Sequence, residues 1–331
     1  MESWQIIHSY GEKCGLSHEQ IEELHDCFDR VEGNPHTRMI FERSLERSRN
    51  HQITPTELEE HFSPYELPRV YLLLILSLFP MAEALYRERH WPMSMWEEIR
   101  TDVAIWVAHQ QENYGFVGLQ WRIFSWEVGV FTGKTVQLGR LQCNTSYTFE
   151  EPFSVYRNPA DGAVRLAEQS PGSSWTCELA PGDPVINLHI PASGGMDIDA
   201  CRQSIRRMTE FFAHFLPDYN YRAFFCESWL LDRQLQDLLP PHSNIVRFQQ
   251  LGHLFDHSPE SETIWRVFGE KGVREGVNAV SHRTSMQKSL AEFVNRGGKF
   301  HSGGLIILRD EVDSAILDAP RQGATGQSRS E

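Results

Sequence analysis

The chain has 331 residues, of which 45 are acidic and 31 basic, for a formal net charge of −14. Hydrophobic residues make up 40% and charged ones 23%, which argues against a disordered chain. The acidic balance argues against a partner that is nucleic acid or an anionic membrane, since either needs a basic field. At about 150 residues per domain, the length predicts about two domains.

The N-terminus, Met1-Glu2-Ser3-Trp4, has no basic segment followed by an apolar one, so no signal peptide is expected. The most apolar run, Val70 to Phe79, is about half the ~20 residues that span a bilayer and reads as a buried helix. Cys14, Cys27, Cys143, Cys177, Cys201 and Cys226 form no CxxC pair and read as free thiols of a cytoplasmic protein.

Residues 1–118 read as a helical domain. Ser17/Gln20, Thr54/Glu57, Ser63/Glu66 and Ser94/Glu97 each have the spacing of a capping box, in which two side chains satisfy free backbone N–H groups at a helix start. Pro55 and Pro64 fit the first helical position, where a missing N–H costs nothing. From Trp121 to Cys143 two β-rich runs flank Thr132-Gly133-Lys134, which predicts a hairpin. Asn158–Gly162 and Pro181–Pro184 mark turns. Val185–Ile190 is a predicted strand. Ile198, Cys201, Ile205, Met208, Phe212 and Phe215 follow at spacings of 3, 4, 3, 4 and 3, one apolar helix face. Arg222–Ser228 is the next strand, Leu230–Leu239 a short helix and Asn244–Leu251 another strand. Helices are expected over Glu262–Phe268 and Ser281–Val294, with Gly297-Gly298 as a stop, and Leu305–Leu308 as a last strand. The second domain thus covers residues 119–310. A tail over 311–331, polar and Gly/Ser-rich from Ala319, is expected to be disordered. The fold class is α+β, a helical N-terminal domain followed by a mixed-sheet α/β domain with one β-α-β unit. Ligands bind beyond the carboxyl ends of the strands of such a unit.

Those ends carry the candidate chemistry. Ser193, Gly194, Gly195 and Met196 lie between a strand and a helix, where glycine lets backbone N–H groups face an anion; the plain alternative is a connecting loop. His189 shares a strand face with Asn187 and could be a general base, since an ordinary imidazole titrates near neutrality; the alternative is a buried histidine bonded to a carbonyl. Glu227 projects opposite to Cys226 and Ser228, and a carboxylate at a crevice mouth can be raised by burial into a base. Cys226 reads better as a small buried filler than as a nucleophile. His253 and His257 have the i, i+4 spacing of two metal ligands on a helix, but without a Glu-x-x-His pattern, so no metal is assigned. Between Thr263 and Arg309 eight basic residues outnumber three acidic ones, a net of 8 − 3 = +5. That stretch is a solvated face or a surface for cofactor phosphates.

Ile186-Asn187-Leu188-His189-Ile190-Pro191, Gly194-Gly195, the long amphipathic helix, Cys226-Glu227-Ser228-Trp229-Leu230-Leu231-Asp232 and Ser243–Gln249 together resemble a bacterial acyltransferase family. That family joins a helical N-acyltransferase N-terminal domain to a GNAT-like C-terminal domain. Thr132-Gly133 and Gln137–Gln142 fit the same pattern, so the resemblance spans roughly residues 5–310. It implies an acyl-CoA lying between two splayed parallel strands, here Val185–Ile190 and Arg222–Ser228, with its pyrophosphate on the Ser193–Met196 loop. That loop departs from the usual Arg/Gln-x-x-Gly-x-Gly/Ala pattern. The expected function is therefore N-acyl transfer from acetyl-CoA or another acyl-CoA to a small-molecule amine. His189 or Glu227 would be the base, and Ile190, Pro191, Ser193, Gly194, Gly195, Met196, Ser228 and Trp229 would hold the cofactor. The alternatives are a non-catalytic module that binds CoA or a small molecule, and a metal-dependent hydrolase using His189, His253 or His257. Residues 1–118 hold 20 acidic and 10 basic residues, a net of −10, against 25 and 21, a net of −4, over 119–331. An acidic helical domain would suit a cationic amine.

Overall fold

The computed structural model describes residues 4–192, 194–259 and 262–317. Residues 4–131 fold as seven helices: α1 (Trp4–Lys13), α2 (His18–Gly33), α3 (Pro35–Arg49), α4 (Pro55–Glu59), α5 (Leu67–Glu88), α6 (Met93–Tyr114) and α7 (Trp121–Phe131). Two of the four expected capping boxes form. The Gln20 N–H donates to Ser17 Oγ at 3.2 Å and the Ser17 N–H to Gln20 Oε1 at 2.9 Å. Ser63 and Glu66 close the same way, just ahead of α5. The other two fail for visible reasons. Glu57 turns inward and takes Arg43 and Arg47 at 2.5 and 2.6 Å, leaving Thr54 without a side-chain cap bond. Ser94 lies inside α6, whose cap is Pro92. Pro64 sits in the turn before α5 rather than inside it.

From Val70 to Phe79 helix α5 is apolar around its circumference apart from Ser77, so that stretch must be enclosed. It packs against α1, α2, α3, α6 and α7, and Leu72 to Leu76 are fully buried. By length and composition alone it could cross a membrane, but 72% of its most apolar window is buried inside the protein. The Arg69 guanidinium, also buried, lies over the rings of Tyr65 and Phe116 at 4.1 and 4.7 Å and pairs with Glu23.

The first strand expected after residue 120 is instead α7. Its aromatic and β-branched residues favour strand locally, but Phe124, Val128 and Phe131 recur at helical spacing and are buried. The hairpin is shorter and later, β1 (Thr135–Leu138) against β2 (Leu141–Asn144). Glu127 on α7 and Asp102 on α6 bury two carboxyl groups together. Gln142 Nε2 donates to Asp102 Oδ2 at 3.2 Å, and Trp126 Nε1 donates to Gln142 Oε1 at 3.0 Å. The remaining oxygens of the pair meet no N–H or hydroxyl donor. A proton held by Glu127 and directed at Asp102 pairs one oxygen of each. Burial, then the Asp102 charge, pushes Glu127 well above the usual carboxylate range.

The chain divides into two compact units, Met1–Ser146 with Ile190–Gly195 and Phe211–Pro217, and Tyr147–His189 with Met196–Glu210 and Asp218–Glu331. The second contains β3 (Ser154–Arg157), β4 (Val164–Ala167), β5 (Thr176–Leu179) and β6 (Val185–His189). Helix α8 (Ile198–Phe215) follows, then β7 (Ala223–Ser228), a 3-10 turn at Trp229–Leu231, α9 (Leu235–Leu238) and α10 (Asn244–Gln249). The remainder is β8 (His253–Ser258), α11 (Thr263–Glu275), α12 (Ser285–Asn295), β9 (Ser302–Leu308) and α13 (Val312–Leu317). The expected strand at Asn244–Leu251 is thus a helix, capped where Ser243 Oγ accepts from the Val246 N–H at 3.4 Å, and the strand begins at His253. The tail expected to be disordered over 311–331 begins instead with α13, through Leu317, and its residues from 318 onward lie outside the described residues.

Strands β6, β7, β9 and β8 are neighbours in that order, with β6 and β7 parallel and the other pairs antiparallel. Sheet β4-β3-β5 packs Val155 and Leu179 onto Val185, Ala223, Phe225, Ile306 and Leu308. A separate cluster around Leu235, Phe268, Leu290 and Phe300 joins α9, α11 and α12. On β9, Gly304 sits between Glu227 and Phe255. A Cβ there would come within 1.9 Å of the Phe255 ring, so only glycine lets that ring lie flat across the strand.

Two outcomes are expected. Gly304→Ala should cost roughly 1–3 kcal/mol in urea unfolding, the usual penalty for overpacking, and less in a Phe255→Ala background; simple additivity would refute the contact. Glu127 holds a proton in the folded state that the unfolded chain releases. Its stabilisation is therefore complete below the ordinary glutamate pKa and is lost as pH rises through the raised value. Glu127→Gln should flatten the fall in melting temperature as pH rises above the ordinary glutamate pKa, and an unchanged slope would count against the buried proton.

Candidate active site

Parallel strands joined by a crossover helix finish on the same side of the sheet. In β6 and β7, Val185 pairs with Ala223, Asn187 with Phe225 and Leu188 with Cys226. Continuing that register, His189 and Glu227 share one face at the carboxyl ends, the face that bears Val185, Ala223 and Phe225. Cys226 points the other way and is fully buried. Burial raises its thiol pKa, so it stays protonated, as expected of a filler. His189 differs from the sequence expectation. Desolvation lowers its pKa to about 4, so its imidazole is neutral near pH 7 and only weakly basic.

Glu227 joins two residues from other elements. His257 Nδ1 lies 2.9 Å from Glu151 Oε1 and 3.3 Å from Glu227 Oε1. Its position comes from a β-bulge: Asp256 pairs with Gly303 and Ser258 with Ser302, leaving His257 as the extra residue. A bulge re-aims a side chain out of its normal alternation. Glu151 lies just ahead of β3. Its segment is held where the Phe149 N–H donates to the Asp183 carbonyl at 2.9 Å and the Gly182 N–H to the Phe149 carbonyl at 2.8 Å. Aromatic rings surround the cluster: Phe225 and Phe255 stack at 6.0 Å, and Phe149 and Phe153 pack edge-on to them at 5.4 and 5.1 Å.

This setting controls the protons. The Glu227 side chain is 32% exposed and that of Glu151 11%. The Glu227 pKa is raised to about 7, first by desolvation, then by a hydrogen bond with Glu151 and the charges of Glu151 and Glu150; His257 pulls it down. Tyr147 is held protonated by its own burial, then by Glu227, Glu150 and Glu151. The three cluster side chains present ligand-type atoms within 4.8 Å of one another, a spacing a divalent cation could bridge. The 2.9 and 3.3 Å contacts are also those of hydrogen bonds made by an Nδ1 proton.

The other singled-out residues are distributed as follows. Gly194 has φ +69°, and Arg140 Nε donates to the Gly195 carbonyl at 2.8 Å. Ser193 lies outside the described residues. Ile190, Pro191, Gly194 and Gly195 belong to the first unit, Met196, Ser228 and Trp229 to the second. Ser228 Oγ accepts from the Leu230 N–H at 3.2 Å and starts the 3-10 turn that contains Trp229. His253 and His257 are on a strand, not a helix, and take different partners: His253 Nε2 lies 2.9 Å from Glu311 Oε2. They therefore do not form a ligand pair on one helix face. In the late basic stretch, Arg266 pairs with Glu262, Arg274 with Glu275, and Arg309 lies over Tyr221. A recess of about 810 Å³ opens beside edge strand β8, lined by Phe153, Val164, Leu166, Arg233, His253 and Phe255 among others. Glu151 escaped the sequence reading because two adjacent glutamates before a strand carry no spacing signal.

Residues 7–133 match the N-acyltransferase N-terminal domain and residues 135–306 the GNAT-like C-terminal domain. Among similar solved structures is an acyltransferase variant in complex with octanoyl-CoA. It is 20% identical, with a TM-score of 0.68, covering 90% of this chain and 86% of that one. An acyltransferase with decanoyl-CoA and teicoplanin is 19% identical, with a TM-score of 0.66 and the same coverage of 90% and 86%. Another, with CoA and 10C-teicoplanin, is 19% identical, with a TM-score of 0.58, covering 91% of this chain and 99% of that one. At these identities the likeness is one of fold. No curated protein matches the chain. The chain belongs to the acyltransferase family that joins an N-acyltransferase N-terminal domain to a GNAT-like C-terminal domain.

Proposed function

We propose that the protein transfers an acyl group from acyl-CoA to an amine, with Glu227 as general base. The observation that carries this reading is a partly exposed carboxyl group, poised near neutrality, at the carboxyl end of a parallel strand pair. The amine lone pair attacks the thioester carbonyl carbon, the C–S bond breaks, and the proton lost by nitrogen passes to the Glu227 carboxylate, directly or through water. CoA leaves as the thiolate and takes up a proton, so the products are an amide and free CoA. Glu151 and His257 set the basicity of Glu227. His189, on the same face as Glu227, is the competing base; its weak basicity is the argument against it.

The solved complexes with octanoyl-CoA and decanoyl-CoA support a medium-chain donor rather than acetyl-CoA alone. Those with teicoplanin support an acceptor larger than a simple amine.

The base form of Glu227 exists above its pKa, so kcat/KM should rise with pH through about 7 and then level off. Glu227→Gln should abolish that limb and lower the rate by roughly 10²–10⁴-fold. His189→Ala should keep the limb; if the two results are exchanged, His189 is the base. In calorimetry, octanoyl-CoA should bind the intact protein more tightly than acetyl-CoA. Failure of acetyl-, octanoyl- and decanoyl-CoA all to bind would sink the acyl-CoA reading.

A further inference from the structure

Glu151 reaches the site on a segment that belongs to none of the strands β1–β9, so a regular ladder does not fix its position. From Tyr147 to Phe149 this segment runs antiparallel to residues 182–185, with a bridge between Thr148 and Pro184. In such a pairing Tyr147 and Val185 should exchange two N–H···O bonds. Only one is direct, from the Val185 N–H to the Tyr147 carbonyl at 3.0 Å. The other is interrupted by the Tyr219 hydroxyl. The Tyr147 N–H donates to Tyr219 Oη at 2.9 Å, and the hydroxyl donates to the Val185 carbonyl at 2.8 Å and the Tyr147 carbonyl at 2.5 Å.

Two hydrogen bonds in series reach further than one. The segment is therefore wedged away from β6 at Tyr147, while at Phe149 direct bonds to Asp183 and Gly182 hold it close. That difference sets the angle at which Glu150 and Glu151 leave the pairing. The wedge has a firm base. Tyr219 lies in the loop between α8 and β7, where the Arg222 N–H donates to the Pro184 carbonyl at 2.8 Å. On the other side the rings of the segment rest on β7: Tyr147 lies parallel to Phe225 at 6.4 Å, and Phe149 lies edge-on to it at 5.4 Å. Phe225 and Glu227 are two apart on that strand and share a face. All these residues belong to the second unit.

We propose that Tyr219 is a positioning residue for the base: its hydroxyl, wedged between Tyr147 and Val185, sets the angle of the segment that delivers Glu151 to Glu227 and His257. This inference rests on Glu227 acting as the base in the acyl-transfer reading above, and it adds a residue that touches neither substrate nor reacting atoms. The titratable groups that face Glu227 are Tyr147, Glu150 and Glu151 from the segment, His257 from β8 and His189 from β6.

The test follows the Glu227 carboxyl carbon by NMR against pH in the full chain. Alongside it, kcat/KM is measured for octanoyl-CoA with hydroxylamine, a small amine that is largely uncharged near pH 7. Glu151 raises the proton affinity of Glu227, so a Glu151 drawn out of place lets that carboxyl titrate at lower pH. Tyr219→Phe removes only the hydroxyl. It should move the NMR midpoint and the rising limb of kcat/KM to lower pH and reduce kcat by roughly 10- to 100-fold, with octanoyl-CoA affinity unchanged. Glu151→Gln should shift the midpoint the same way, and the double variant by less than the two single shifts combined. A purely structural tyrosine would lower the melting temperature and leave the midpoint in place; that result, or full additivity in the double variant, overturns the proposal. If Tyr219→Phe does not fold, 4-aminophenylalanine at position 219 serves, since it keeps a donor for the two carbonyls but accepts poorly from the Tyr147 N–H. An unmoved midpoint there also overturns the proposal. If the intact protein binds no octanoyl-CoA, the acyl-CoA reading fails and this inference with it. If it does bind, and Tyr219→Phe leaves the midpoint unchanged, only Tyr219 is wrong.

Discussion

The structure around the site depends on one pairing, β6 beside β7 in the same direction. Two strands that run the same way cannot be joined by a tight turn, so the chain must travel back along the sheet before the second begins. Helix α8 is that return. Both strands consequently end on one side, and a register fixed by Asn187 against Phe225 brings the side chains of His189 and Glu227 to a common face. The glycine pair in β9 extends the arrangement. With no side chain at Gly304, the Phe255 ring crosses the strand and β8 can contribute His257 to a carboxylate on β7.

The same physics acts twice with different results. Two carboxyl groups brought together out of water resist carrying charge at once, and burial raises the proton affinity of Glu127 and of Glu227. At Asp102 and Glu127 the proton is enclosed: Glu127 has no exposed surface, so the pair serves structure. At Glu151 and Glu227 one member reaches solvent, and a histidine draws the affinity for the proton back toward neutrality. Exposure, more than residue type, separates an enclosed acid pair from one that can exchange its proton with solvent.

Much of this was legible in the sequence. The 3, 4, 3, 4, 3 spacing from Ile198 to Phe215 is α8, the β-rich runs on either side are β6 and β7, and Glu227 stands out by its place at the end of a strand. The misreadings share a cause. Trp121–Phe131 and Asn244–Gln249 are rich in residues that suit strands, and the surrounding packing or a Ser243 cap overrode local preference. His253 and His257 share a helix-like spacing, but the bulge that re-aims His257 depends on its pairing with β9. Glu151 reaches the site through contacts more than 70 residues distant in sequence, at Glu227 and His257. No local pattern encodes those.

Helix α5 carries a consequence for how the chain comes into being. From Val70 to Phe79 every one of its residues is buried, and part of its surface is covered by α7, which lies more than 30 residues further along the chain. During synthesis α5 emerges long before that cover does. Until residue 131 is available, a sticky cylinder faces solvent, and hydrophobic surface of this kind drives nascent chains to aggregate or to recruit chaperones. A fragment that stops at residue 118, where the change in sequence character suggests a boundary, would keep that surface permanently open. The helical half becomes self-sufficient only once Trp121–Phe131 has folded onto it.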